Sequence, residues 1–161
     1  MADFLEGIDE FLNTFSAEEL AVTREAFRAI LNGEPAGVER LATALHLPLT
    51  VVDAAVARLV ERGTMALDLA TGEVVAARGL SLTKTVHRLA IAGRPLYTFC
   101  AVDAVGIPAG LERDARVESR CHGCGKPLTL TITEGVVTEP SDGIVIWAAE
   151  RDPTRSLHTY T

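Results

Sequence analysis

The hydrophobic pattern of the chain changes its period once, and this change constrains the fold more than any other feature. Up to Glu61, apolar residues recur at the three- and four-residue spacing of helices. From Met65 onward they occur mostly in short runs between glycine-containing turns, which is typical of strands. The pattern predicts an α+β fold in which a helical N-terminal unit precedes a β-rich domain with a mixed sheet. One short helix is predicted inside that domain, beginning at Cys100 and ending near Pro108.

Three helices are predicted before the first strands. The first begins after Ser16, where Glu19 completes a capping box. The second fits Val38–Leu45 and the third fits residues 50–61, after which a hairpin follows. Three helices followed by a hairpin is the order of secondary-structure elements in a winged helix. We therefore expect a winged-helix-like three-helix unit over residues 1–78 and a β-rich catalytic or metal-binding domain over residues 79–161.

A winged helix either reads DNA through its third helix or serves as a packing domain. The charges on the third predicted helix cancel, since it carries Asp53, Arg58, Glu61 and Arg62. The whole chain has 15 Lys+Arg against 22 Asp+Glu and a net charge of −7. Both observations disfavour nucleic-acid binding, which needs a cationic surface.

No apolar run approaches the roughly 20 residues of a membrane span, and the first residues lack the basic region of a signal peptide. The composition therefore predicts a cytoplasmic protein that does not bind membranes. In those reducing surroundings the three cysteines would remain thiols, which favours metal or nucleophile chemistry over disulfides.

Cys100 lies at the predicted junction between a strand and the short helix. There, free backbone N–H groups and the helix dipole are expected to lower the pKa of the thiol and favour a thiolate. Asp103 follows on the same helix face, so a carboxyl group can lie beside the sulfur. Such a pair could bind a soft cation and deliver a proton. The same spacing also fits a buried structural cysteine with a solvated Asp103, which is the commoner arrangement.

The other two cysteines form a C-x-x-C motif within residues 121–127, C-H-G-C-G-K-P, which we call the knuckle. This spacing supplies two of the four ligands of a zinc site, so zinc at Cys121 and Cys124 is one expectation. The chain has no second C-x-x-C, and a closed site would have to recruit Cys100 or a histidine. A redox dithiol and a turn with two structural thiols are the alternatives.

The stretch R-P-L-Y-T-F-C-A-V-D-A at residues 94–104 resembles the organomercurial (alkylmercury) lyases, which carry an aromatic strand that enters a C-A-x-D helix. The resemblance begins near residue 18 and covers most of the chain. It continues through residues 79–83, 107–109, 115–121, 127–132 and 137–140.

The resemblance implies a mercury-resistance enzyme that cleaves carbon–mercury bonds by protonolysis, with no required cofactor and with mercury as substrate and product. Cys100 would capture mercury, and Asp103 would contact the metal and protonate the departing carbon. Cys121 matches a family cysteine regarded as structural, and a mercury or zinc role for the Cys121–Cys124 pair is a separate hypothesis. The implied partners are organomercurial small molecules and, as mercury acceptors, cellular thiols or a mercuric reductase.

The chain departs from the family pattern at its end. The family's second catalytic cysteine follows the strand that here reads S-L-H-T-Y-T at residues 156–161, and no cysteine follows it. An alternating run that stops without a cap favours a truncated chain. Cys124 would supply the second sulfur only if the knuckle folds against the Cys100 helix. The alternative function is a noncatalytic thiol-based metal-binding or sensing protein with a winged-helix domain.

Overall fold

The computed structural model describes residues 13–139 and 143–146, and the segment 156–161 lies outside them. The described helices are α1 (Ala17–Leu31), α2 (Val38–Leu45), α3 (Leu49–Glu61) and α4 (Ala101–Leu111). The described strands are β1 (Met65–Leu67), β2 (Val74–Ala77), β3 (Leu80–Ser81), β4 (Arg88–Ile91), β5 (Arg94–Thr98), β6 (Ala115–Arg120), β7 (Pro127–Thr133) and β8 (Val136–Glu139). The predicted α+β class is therefore confirmed.

Helix α1 begins at the capping box that the sequence predicts. The Ser16 backbone N–H donates to Glu19 Oε2 at 2.8 Å, and the Glu19 backbone N–H donates to Ser16 Oγ at 3.2 Å. These bonds satisfy backbone donors that have no partner inside the helix. The inner face of α1, including Val22 and Ile30, is fully buried in one core shared by helices and sheet.

The described strands form one eight-stranded sheet in the order β1-β2-β3-β5-β4-β6-β7-β8. Every pairing among these described strands is antiparallel, so for this part of the chain the predicted mixed sheet is wrong. A parallel pair needs a long crossover, and most successive strands here are joined by short turns. The long connection through α4 leads from β5 to β6, but β6 pairs with β4 instead of with β5.

Three of these connections are two-residue turns in which both residues have a positive φ, as in type I′ hairpins. They are Arg78-Gly79, Ala92-Gly93 and Glu134-Gly135. Two of the three contact α4: a Cβ on Gly79 would overlap Asp103, and a Cβ on Gly135 would lie 3.1 Å from Ala109 Cα. Gly93 has no atom within 4 Å of that position.

Helix α4 extends past Pro108 to Leu111, beyond the end that the sequence predicts. The proline removes one helical N–H, but the surrounding turns continue, and Glu112 caps the helix in the left-handed conformation. Among the described residues no single helix is both long and apolar enough to cross a membrane. Only α2 and α3 taken together, across a bend of 119°, reach that length and hydropathy.

Candidate functional site

The end of β5 and the start of α4 fix the position of Cys100. Thr98 is fully buried, and its hydroxyl donates to the Cys100 carbonyl oxygen at 3.0 Å. The Phe99 N–H donates to the Gly79 carbonyl oxygen at 2.9 Å, which ties this segment to the β2–β3 turn. Cys100 itself is the extended N-cap residue of α4. Its side chain is therefore held where the helix begins.

Cys100 and Asp103 are in direct contact. The Cys100 thiol donates to Asp103 Oδ2 with an Sγ–Oδ2 distance of 3.0 Å, and both side chains are half-buried. The three-residue spacing thus brings the carboxyl group beside the sulfur, as expected for the first turn of a helix. This contact gives the site a proton donor and acceptor within one hydrogen bond.

Burial, the neighbouring Asp103 charge and the hydrogen bond to Asp103 together raise the pKa of Cys100 to about 11. Burial is the largest of these causes. The expectation of a lowered thiol pKa is therefore wrong. The backbone N–H groups of Val102 and Asp103 do favour the thiolate, but burial and the carboxylate outweigh them. Burial also raises the pKa of Asp103, against the hydrogen bonds from Cys100. The pair consequently holds its proton tightly at neutral pH.

Gly79 belongs to the site, although the sequence reasoning missed it. Its φ is +82°, and a Cβ built on it would overlap Oδ1 and Cγ of Asp103. The absence of a side chain at Gly79 therefore makes room for the carboxylate. The only sequence signal is a glycine in a two-residue turn, and Gly93 shows the same signal without touching α4.

A cavity of about 300 Å³ opens beside Asp103, between α1 and α4. Phe27, Ile107 and Leu111 give it apolar walls, and Arg78 lies at its edge. Arg78 is exposed and has a φ of +51°. The cavity can therefore accept an apolar group close to the carboxyl group that holds the proton.

The knuckle is a tight turn between β6 and β7. The Cys121 N–H donates to the Lys126 carbonyl oxygen at 2.9 Å, and the Gly125 N–H donates to the Cys121 carbonyl oxygen at 2.8 Å. Cys121 is half-buried and Cys124 is exposed, and both are free thiols. The Cys124 backbone N–H and thiol lower the pKa of Cys121 by hydrogen bonding to its sulfur.

The described residues contain no group of three or more His, Cys, Asp or Glu side chains placed to hold a metal ion. Zinc at Cys121 and Cys124 is therefore not supported, because a structural zinc site needs four ligands. The same finding shows that the knuckle does not join Cys100 and Asp103 in one cluster. The two cysteine motifs are separate in the described part of the chain.

A polar pair missed by the sequence reasoning lies between the two motifs. His87 Nδ1 and Ser119 Oγ are 2.7 Å apart, across the β4–β6 pairing. Burial lowers the pKa of His87, which favours a neutral imidazole. His87 also accepts, through its carbonyl oxygen, the Thr98 N–H at 3.0 Å. Thr98, His87 and Ser119 thus form one row across the end of the sheet.

Comparison with known proteins gives the same family throughout. The family model described as "MerB: Alkylmercury lyase" matches residues 80–160. An alkylmercury lyase from Staphylococcus epidermidis is 32% identical over 151 residues, which cover 88% of this chain and 68% of that protein. One from Pseudomonas putida is 44% identical over 69 residues, covering 42% of this chain and 32% of that protein.

The fold also matches a solved structure, the crystal structure of the mercury-bound form of MerB2. The TM-score is 0.77 at 24% identity, over 81% of this chain and 63% of that chain. The chain thus spans from about a third to about two thirds of the length of these relatives. The family model covers half of the chain, and the Staphylococcus relative extends the match through the helical part. The chain therefore belongs to the alkylmercury lyase family.

Proposed function

We propose that the chain is an organomercurial lyase that cleaves carbon–mercury bonds by protonolysis. The observation that carries this proposal is the hydrogen bond from the Cys100 thiol to Asp103 Oδ2 at 3.0 Å. Cys100 is the mercury-binding nucleophile, and Asp103 is the proton donor and a metal contact. Mercury is a soft cation that prefers sulfur, and an adjacent acid can protonate the departing carbon.

The raised pKa values suit a reaction in which one proton moves twice. As the Cys100 sulfur bonds to mercury, its proton passes to Asp103 along the existing hydrogen bond. Asp103 then gives that proton to the carbon as the carbon–mercury bond breaks. The small thiolate that the organomercurial carries in excess thiol stays on mercury, so the products are a hydrocarbon and mercury held by the Cys100 sulfur and that thiolate. Atoms and charge then balance without a cofactor. Burial raises the pKa of both groups, which favours keeping this proton on the pair.

The organic group would occupy the apolar cavity between α1 and α4, with its carbon near Asp103. A second sulfur ligand for mercury would come from a cellular thiol, since no other cysteine joins Cys100 and Asp103 in the described residues. The same thiols, or a mercuric reductase, would then accept the mercuric ion. These partners follow from the preference of mercury for exchange between thiolates.

We also propose that residues 1–78 form a winged-helix-like unit and residues 79–161 the β-rich domain. The order of α1, α2, α3 and the β1–β2 hairpin supports this division, and the family match begins at residue 80. The unit would serve packing and not DNA binding. Arg58 is engaged with Glu19 at 2.7 Å, and Arg62 lies over the Phe15 ring. A cytoplasmic location is consistent with a thiol-dependent reaction.

The test is hydrocarbon release from methylmercury and phenylmercury in excess small thiol. We expect release by the wild-type chain and capture without release by Asp103→Asn, which keeps the side-chain shape and removes the acid. Cys100→Ser should lose tight capture, since an alcohol is a hard ligand with a high pKa. Asp53→Asn, an exposed carboxylate on α3, is the matched control and should behave as wild type. Capture by the wild-type chain without release would favour the noncatalytic metal-binding protein.

A further inference from the structure

The knuckle is accessible and its backbone is fixed before any ligand arrives. Its two backbone bonds join Cys121 to Lys126 and Gly125, and the Arg120 guanidinium donates to the Gly125 carbonyl oxygen at 3.3 Å. Cys124 is exposed and Cys121 is half-buried. The Cys124 backbone N–H and thiol hydrogen-bond to the Cys121 sulfur, so the two sulfurs lie close together on this turn.

We propose that Cys121 and Cys124 form a second mercury site, separate from Cys100 and Asp103, which holds Hg²⁺ between two sulfurs. Thiolates select soft cations, and Hg²⁺ is commonly satisfied by two sulfur ligands. Zinc would require about four ligands, and the described residues place no third group at the knuckle. The two sulfur ligands of the knuckle therefore favour Hg²⁺ over Zn²⁺.

The sheet places this second site near the first. Thr98 at the end of β5 pairs with His87, and His87 bonds to Ser119 near the end of β6. Cys100 lies two residues beyond Thr98, and Cys121 lies two residues beyond Ser119. The two motifs thus leave the same end of the sheet, two strand spacings apart, or about 10 Å. A small thiol that removes a mercuric ion from Cys100 would pass it to the nearby knuckle. This role of the knuckle rests on the proposed lyase function.

Loading of the site is a ligand exchange with no change in oxidation state. Two bonds from Hg²⁺ to small thiolates break, and two bonds to Cys121 and Cys124 form. The protons of the two cysteine thiols leave on the two departing small thiols. Two sulfurs on one turn act at a high effective concentration, so the chelate should resist competition by monothiols.

The experiment uses Hg²⁺ presented as its complex with 2-mercaptoethanol, in excess monothiol and with no organomercurial present. The Cys100→Ser chain should retain one mercury per chain after desalting, measured by elemental mass spectrometry. Adding Cys124→Ser or Cys121→Ser should lower retention at least tenfold, because a single sulfur has no chelate advantage. His122→Ala, an exposed position within the knuckle, should retain mercury fully.

Equal retention by the single-thiol variants would overturn the two-sulfur site, as would retention that depends on protein concentration, which indicates cross-linking between chains. Circular dichroism of the Cys100→Ser/Cys124→Ser chain should show an unchanged fold, since Cys124 is exposed. Because no carbon–mercury bond is involved, failure here leaves the lyase proposal standing. Failure of hydrocarbon release would equally leave the knuckle result unaffected.

Discussion

Gly79 lies against the carboxyl group of Asp103, so that a Cβ on Gly79 would overlap Oδ1 and Cγ. We expect Gly79→Ala to displace the carboxyl group and slow hydrocarbon release about tenfold or more, while mercurial capture by Cys100 continues. Small misplacements of a reacting group cost this much because proton transfer depends on geometry. The measurement is the release rate together with the pH profile of Cys100 alkylation, which displacement of Asp103 should move.

Gly93→Ala is the matched control, because Gly93 occupies the same position in an equivalent turn with open space around it. Both alanines must adopt a positive φ, which costs each about 1–2 kcal/mol of stability. Gly79→Ala must in addition relieve the overlap with Asp103. Only Gly79→Ala should alter the pH profile. Equal effects of the two variants on release would show that Gly79 acts through the turn and not through Asp103.

The Cys100 thiol should titrate at an unusually high pH. We expect its alkylation by iodoacetamide, in a Cys121→Ser/Cys124→Ser background, to reach half its maximal rate near pH 11. Asp103→Asn removes a negative charge and a carboxylate acceptor, so the pKa of Cys100 should fall. A midpoint that stays in place or rises in the Asp103→Asn chain would contradict this assignment.

The same shift predicts how stability depends on alkaline pH. The folded thiol keeps its proton up to about 11, whereas the pKa in the unfolded chain is near 9.0. Its contribution to stability is present below pH 9 and is lost as the pH rises toward 11, because the unfolded chain then releases the proton first. Urea unfolding across this window should show the decline, and Cys100→Ser should reduce it.

Arg78 occupies a position that suits other residues better. Its φ is +51°, and it precedes Gly79 in a type I′ turn. Asparagine tolerates this conformation, so Arg78→Asn should raise stability by about 1 kcal/mol, measured as an increase in Tm. Ala92→Asn at the equivalent turn should also stabilise. A fall in Tm for Arg78→Asn alone would disprove the conformational argument.

Glu19 links helix α1 to helix α3 through an ion pair with Arg58. It is 4% exposed, bonds the half-exposed Arg58 at 2.7 Å and accepts the Ser16 N–H. Glu19→Gln should cost about 1–2 kcal/mol, less than a fully buried pair because Arg58 reaches solvent. Glu34→Gln, in an exposed pair with Arg40, should change stability by under about 0.5 kcal/mol. Urea denaturation measures both.

The pH dependence gives a second check on Glu19. Arg58, and then the Ser16 N–H, lower the pKa of this carboxyl group against the effect of burial. Its stabilisation is therefore present above the unfolded pKa of 4.5 and is lost as pH falls through the lower folded value. The difference between wild type and Glu19→Gln should shrink below pH 4.5, and a constant difference would count against the ion pair.

Local sequence signals predicted local structure well. The Ser16–Glu19 capping box, the hairpin after α3 and the contact of Cys100 with Asp103 each depend on residues a few positions apart. The helix predicted over Val38–Leu45 has the same bounds in the structure. In each case the determining interaction lies within one helical turn or one strand.

Properties set by distant residues were predicted poorly. The thiol pKa was given the wrong direction because burial at Cys100 arises from packing that spacing does not encode. Gly79 was missed because its contact with Asp103 joins a hairpin turn to a helix 24 residues along the chain. The prediction of a mixed sheet was wrong because β6 pairs with β4 and not with β5. This pairing depends on contacts across the whole sheet.

Helix α4 is confined between two turns, at Gly79 beside its first turn and at Gly135 beside its last. A helix so confined cannot slide along its axis without meeting backbone at one end. The position of the Asp103 carboxyl group against the Gly79 turn therefore depends also on the β7–β8 hairpin, at the other side of the described sheet. A bulkier residue at Gly135 should change the chemistry at Cys100 through the helix between them, so the working site includes a turn that never meets the mercurial.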